Sequence, residues 1–253
     1  MPAVATLEEL EQAVRDADAS GVDLVVEPEA AMAVRRSIDA SGLLLLGEVH
    51  GAAENPRLAR ALLEAFGIGV LGLEWGQELA AVVDAALAGR PLPDHPSLWS
   101  GDGRVTAGHL AVLRAAHPEV VLFDSEWCGD WTWSDRDAAM AQRLLAELPA
   151  GRTCLVVAGN LHTRTGRVRQ GVPMGRQLAR RRPGVLEVRI VYGGGVHYNV
   201  SRKELPGRGG AKGAARLRAR QGHLELELPE ATEAVVPQRP FAQSVTEDVR
   251  IRP

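Results

Sequence analysis

Short, unbroken apolar runs recur along this chain, each closes on an ionisable residue, and stretches with helical spacing separate them. The first is LLLLGEVHG at residues 43–51. Four consecutive leucines suit a strand covered on both faces, which belongs in a parallel sheet and not on a half-exposed surface. GVLGLEWG closes on Glu74, VVLFDSE on Asp124 and Glu126, and TCLVVAGNLH near His162; VLEVRIVY, which is not of this kind, is a fifth predicted strand. Helices are predicted over 6–19, 29–39, 134–148 and about 174–182, through QELAAVVDAALAG, and from Thr106. Another is predicted from Asn55, with the Asn side chain as cap and Pro56 in the first turn, to Gly67. Strands alternating with helices predict an α/β fold, a mainly parallel sheet with helices on both faces. HLELELP alternates cleanly and reads as a half-buried strand, antiparallel at an edge near the C-terminus.

A chain of 253 residues, 45% hydrophobic, can bury one substantial core, so residues 1–253 read as a single α/β domain. SRKELPGRGGAKGAARLRAR, at 201–220, reads as a mobile basic loop. Two cysteines, Cys128 and Cys154, make no disulfide framework and no CxxC pair. The first residues, MPAVATLEELEQAV, lack the basic and apolar regions of a secretory signal, and no run approaches membrane-spanning length. The expectation is a soluble, cytoplasmic protein that engages no membrane. Residues 160–220 hold fifteen of the 29 Lys and Arg against two acids, Glu187 and Glu204. That stretch is a solvated face or an anion site. Few aromatics interleave with its arginines, which argues against nucleic acid.

The position of the ionisable groups carries the functional reading. Ligands of open α/β sheets bind at the carboxyl ends of the strands. Parallel order would gather Glu48, His50, Glu74, Asp124, Glu126, His162 and Arg164 there, and titratable groups converging in a crevice mark a functional site. If the chain stays extended, Glu48 and His50 face the same side as an acid/base pair. GxSxG, HExxH and GxxxxGK[ST] are absent. GIGVLG at 67–72 matches GxGxxG but leads into a strand, the wrong context for a dinucleotide.

Gly47-Glu48-Val49-His50 and Gly159-Asn160-Leu161-His162 are two GxxH motifs, Glu74 closes the strand between them, and SDRDAAMA contains Arg-Asp-x-x-Met-Ala. Over residues 43–195 the chain resembles the superfamily that unites erythromycin esterases, ChaN-like haem-binding proteins and Tiki/TraB proteases. AGNLHTRTGRVRQGVPMGRQL is especially similar to the ChaN-like branch. In the esterase branch, the resemblance implies that His50, with Glu48 and Glu74, activates water against an ester. The Tiki-like branch implies a divalent metal on His50, Glu74 and His162, and the ChaN-like branch implies haem. Esterase members tend to have one more residue between Glu and His, and this chain has no lipidation cysteine of the ChaN-like kind.

The chemistry of these residues suits a hydrolase acting on an ester, lactone or amide of a small molecule. Neutral His50 would take a proton from water while Glu48 or Glu74 fixes its tautomer. Alternatively His50, His162 and Glu74 form a two-His, one-carboxylate set for zinc, manganese or iron. Arg136, Arg164 or His162 would stabilise an oxyanion. Asp137 is a second catalytic candidate, or the third residue of a capping box opened by Ser134. WCGDWTW places Trp127, Trp131 and Trp133 either in the core or against a flat ligand such as haem. Cys128 is a weak thiolate candidate. His197 and Tyr198 are pocket lining or haem ligands. The same base also suits a non-hydrolytic elimination or cyclisation.

Overall fold

The computed structural model describes residues 3–124, 129–207 and 213–239. Among these, seven α-helices surround a mostly parallel sheet of eight strands. The helices are α1 (Leu7–Asp16), α2 (Pro28–Ser41), α3 (Glu54–Phe66), α4 (Ala80–Leu87), α5 (Ala107–Ala116), α6 (Trp133–Glu147) and α7 (Met174–Arg181). The strands are β1 (Ala3–Val4), β2 (Leu24–Val26), β3 (Leu43–Glu48), β4 (Val70–Leu73), β5 (Glu119–Leu122), β6 (Cys154–Gly159), β7 (Leu186–Tyr192), β8 (Gly195–Asn199), β9 (Ser201–Leu205), β10 (Ala215–Arg220), β11 (His223–Leu228) and β12 (Val236–Pro237). The main sheet runs β2-β10-β11-β7-β3-β6-β4-β5. Small pairs β1-β12 and β8-β9 lie outside it.

Strand β3 sits between β7 and β6, parallel to both, with all six residues buried. Its leucines divide by parity. Leu43 and Leu45 pack with Met140, Leu144, Met174 and Leu178 of α6 and α7, while Leu44 and Leu46 pack with residues of α1 to α5 such as Leu10, Val34, Leu62 and Leu110. Two apolar layers therefore cover the two faces, which is why the run shows no alternation of polarity.

Three local expectations change. Helix α3 begins at Glu54, so Asn55 lies inside it and is fully buried. Its amide donates to Val49 O at 2.8 Å and its Oδ1 accepts the Tyr192 hydroxyl at 2.8 Å, so the side chain ties the turn after β3 to β7 instead of capping. Within 201–220, read as a mobile loop, Ser201–Leu205 and Ala215–Arg220 are strands. In Ala215–Arg220, small and apolar residues alternate with arginines, and Arg218 and Arg220 pair with Glu27, just after β2, and with Glu225 and Glu227 of β11. Glycine and arginine content masked that period of two. Finally, HLELELP forms β11, with Leu224, Leu226 and Leu228 buried, but it is an interior strand: parallel to β7 and antiparallel to β10, with β2 outside them. No described helix is long and apolar enough to cross a membrane.

Candidate active site

The carboxyl ends of β3, β4 and β6 meet at the centre of the sheet. Glu48 is the last residue of β3, and His50 lies in the turn beyond it. The chain is no longer extended at His50, yet the two side chains still meet: His50 Nδ1 donates to Glu48 Oε1 at 2.9 Å. Gly51 makes the turn possible. It sits at φ +75, and a Cβ there would fall 1.6 Å from Tyr198 O. Its N–H donates to Gly103 O at 3.0 Å, while its carbonyl accepts from Tyr198 N and Ala234 N.

Glu74 follows β4 and is buried beneath both histidines. Oε2 accepts the Gly159 N–H at 2.7 Å and lies 3.9 Å from His50 Nε2. Oε1 accepts from Arg136 at 3.3 Å and lies 3.7 Å from His162 Nε2. His162 repeats the His50 arrangement: its Nδ1 meets Asp137 Oδ1 at 2.8 Å, and Asp137 also accepts the Met174 N–H at 2.6 Å. Trp133 stacks on the His162 ring at 5.0 Å between centroids. Asp137 is free for this because Thr132, not Ser134, caps α6, in a capping box closed by Asp135. The Ser134 hydroxyl instead accepts the Val172 N–H.

An ionic chain continues outward. Arg136 also donates to Asp124 at 2.7 Å, Arg104 bonds both Asp124 and Asp102, and Arg143 donates to the Asp124 carbonyl. Glu74, Asp102, Arg104 and Asp124 line a cavity of about 210 Å³. A larger cavity of about 760 Å³ lies between α1 and residues 232–235; neither cavity is lined by a histidine, but the smaller one is lined by Glu74, which both His50 and His162 face. The smaller one is the functional candidate, because it alone of the two reaches the titratable cluster.

The electrostatics follow from burial against partners. Burial opposes ionisation of Glu48, but His109 and His50 outweigh it and bring its carboxyl down to about 2. Burial disfavours the His50 cation, yet Glu48, Glu74 and Asp102 prevail and raise its pKa. Glu74 is lowered: against its burial stand His162, His50, Arg104 and Arg136. Asp137 goes the other way, since burial dominates and His162 offsets it only in part. The two histidine–carboxylate pairs are thus electrostatically unequal.

Glu48, His50, Glu74, Asp124, Trp133, Arg136, Asp137 and His162 come together. Glu126, Trp127 and Cys128 lie outside the described residues. Trp131 is partly exposed. Arg164 turns instead to the buried Glu187, which it shares with Arg189. His197 Nδ1 donates to His50 O at 2.9 Å, so it braces the backbone of the turn, and the Tyr198 hydroxyl donates to Gln238. The sequence reading missed Asp102, Arg104 and His109. The first two sit in the polar stretch 89–104, which contains Pro and Gly and no strand-end pattern, and His109 is visible only as the third residue after the helix-opening Thr106.

His50, Glu74 and His162 are the residues a divalent metal would take, and both histidines carry the Nδ1 carboxylate partner that metal-bound imidazoles commonly have. They do not close into a metal-holding group among the described residues. The nitrogens face different oxygens of Glu74, and those oxygens already accept from Gly159 and from the Arg136 cation. The donor set does not fit a resident metal.

No family model matches the chain, and no curated protein matches it. Among solved structures, a chain titled "Bacterial protein toxins" is 21% identical, with a TM-score of 0.45, covering 73% of this chain and 39% of that one. This chain thus spans well under two thirds of that chain's length, and a likeness of this order defines no activity.

Proposed function

We propose that this chain is a hydrolase of the erythromycin-esterase/ChaN/Tiki type, acting on an ester, lactone or amide of a small molecule by metal-free general-base catalysis. One observation carries the reading: two imidazoles, each oriented through Nδ1 by a buried carboxylate, turn Nε2 toward the same third carboxylate. Donating Nδ1–H leaves the Nε2 lone pair of neutral His50 available at the crevice.

In this reading a water attacks the substrate carbonyl carbon and passes one proton to His50 Nε2, and Glu48 stabilises the imidazolium that forms. The oxyanion of the tetrahedral intermediate faces Arg136. When that intermediate collapses, the bond to the leaving oxygen or nitrogen breaks, and the His50 imidazolium gives its Nε2–H to that atom, so the base is restored and the net change is addition of one water. General-base help of this kind contributes roughly a hundred- to ten-thousand-fold.

The test is turnover of a panel of aryl esters, lactones and anilides in H₂¹⁸O, with product mass spectrometry. One ¹⁸O in the acid product, undiminished by chelator and lost in His50→Ala, is the expected result. A product without ¹⁸O would indicate elimination or cyclisation. No turnover, together with a Soret shift on haem titration, would replace the reading by haem binding.

A further inference from the structure

We infer that His109, a residue of α5 remote in sequence from either GxxH motif, is a positioning residue for the catalytic base, acting through Glu48. The inference rests on reading His50–Glu48 as that base pair. Glu48 is buried, and only one of its oxygens meets His50. The other, Oε2, makes no hydrogen bond of ordinary geometry. Facing it at 3.5 Å is His109 Nε2, at the outer edge of hydrogen-bond range but from a side chain that is itself buried.

The neighbours of His109 decide which nitrogen carries its proton. Thr106, the N-cap of α5, accepts the His109 backbone N–H at 3.2 Å, and its Oγ1 lies 2.9 Å from His109 Nδ1. Glu48, held as a carboxylate, can only accept, so the nitrogen facing it must carry the proton, and Thr106 then donates its hydroxyl proton to the bare Nδ1. The ring proton then sits on Nε2, aimed at Glu48. Trp75, edge-on to the His109 ring at 5.9 Å, confines the imidazole, and Trp75 Nε1 is itself fixed on Arg104 O. The resulting series runs Thr106, His109, Glu48, His50. It anchors a helix cap to the base and leaves Glu48 a donor on each oxygen.

Without His109, the free oxygen of Glu48 would have no donor in a dry site, and the carboxylate would gain by rotating or by taking up a proton. Either loosens the His50 Nδ1–H contact. Charged or titratable groups around this pair are Glu74 after β4, Asp102 and Arg104 in the preceding loop, Arg136 and Asp137 on α6, His162 after β6, and Tyr192 of β7, whose hydroxyl feels the charge of Glu48. Among the described residues, the side chains that face the two Glu48 oxygens as donors are His50, on Oε1, and His109, on Oε2.

The experiment is ¹H–¹⁵N NMR of the imidazoles at one fixed pH, reading the His50 Nδ1–H proton in wild type, His109→Leu and His109→Gln. Wild type should show a downfield, slowly exchanging proton. His109→Leu should move it upfield or broaden it, and His109→Gln, which retains a donor of similar reach, should restore it. An unchanged signal in His109→Leu overturns the inference. Equal loss in both variants also overturns it, because packing and not the donor would then matter. If the leucine variant does not fold, His109→Met is compared with His109→Gln on the same criteria. This readout needs no substrate, so it stands or falls separately from the proposed hydrolysis.

Discussion

The Glu74 carboxylate accepts the backbone N–H of Gly159 at 2.7 Å, so the side chain that ends one strand is fixed by the main chain that ends its neighbour. Strands β4 and β6 are paired in register below this point, and the bond extends that pairing through a side chain. Glu74→Ala would leave the Gly159 N–H without an acceptor and Arg136 without one of its carboxylates. Losing one partner of a buried pair of this kind costs about 3 kcal/mol or more. Thermal or urea unfolding should show the loss. Glu74→Gln retains an acceptor for Gly159 but turns its NH₂ to the Arg136 cation, so it should lose activity and fall between wild type and Glu74→Ala in stability.

Gly159 itself gives a sharper test. A Cβ there would lie 2.9 Å from His50 Nε2 and 3.4 Å from His162 Cδ2. The added methyl would therefore press on the two imidazoles in the space between them. Gly159→Ala should reduce kcat at least about tenfold by displacing His50 from the attacking water, since misplacement of about 1 Å can cost a hundredfold. Its melting temperature should change little by comparison. Wild-type turnover in a folded variant would remove the histidine gap from the mechanism.

The pH profile follows from the sign of the His50 shift. In the proposed reaction His50 acts as neutral imidazole, and its neighbours favour the cation. The acidic limb of kcat/KM should therefore lie above the ordinary histidine value of about 6.5. In Glu48→Gln the limb should fall toward that value or below it, because the largest raising influence is gone while burial persists. Stability has the opposite dependence: the His50 contribution is complete below its unfolded pKa and is lost as pH rises through the folded one. Glu48, being lowered, contributes above its unfolded pKa and loses that contribution as pH falls toward about 2.

Asp137 links chemistry to architecture, because it holds both His162 and the Met174 N–H at the start of α7. Asp137→Ala should destabilise the fold by about 1–3 kcal/mol through the buried N–H left unpaired. Asp137→Asn should retain an acceptor for Met174 but lose the carboxylate oxygen that orients the His162 ring through Nδ1. Activity should drop further than stability in the Asn variant, as read by parallel turnover and denaturation measurements.

The sheet was legible because double-sided burial leaves uninterrupted apolar runs, as at Leu43–Leu46, and because helix signals such as Thr106 and Gly67 act locally. The centre of the site was legible for a related reason: parallel strands put their last residues at one edge, so Glu48, Glu74 and His162 could be placed together without knowing strand order. What failed depended on contacts distant in sequence. Asn55 has a capping residue's chemistry, but Tyr192, 137 positions away, claims it. Arg164 follows His162 closely, yet a buried carboxylate on β7 draws it elsewhere. His109 shows in the sequence only by its place after the helix-opening Thr106, and nothing in its own helix reveals that it faces Glu48.

The turn bearing His50 is fastened at Gly51 by backbone bonds to three separate segments, and no side chain larger than hydrogen fits there. A proton acceptor mounted this firmly does not wait for a visitor to assemble it. If the proposed hydrolysis holds, substrate preference can drift through changes at Ser97, Ser100 and Asp102, which line the cavity, while the His50 nitrogen stays where it was, and grafted rims offer a practical route to redirecting such a scaffold toward new molecules.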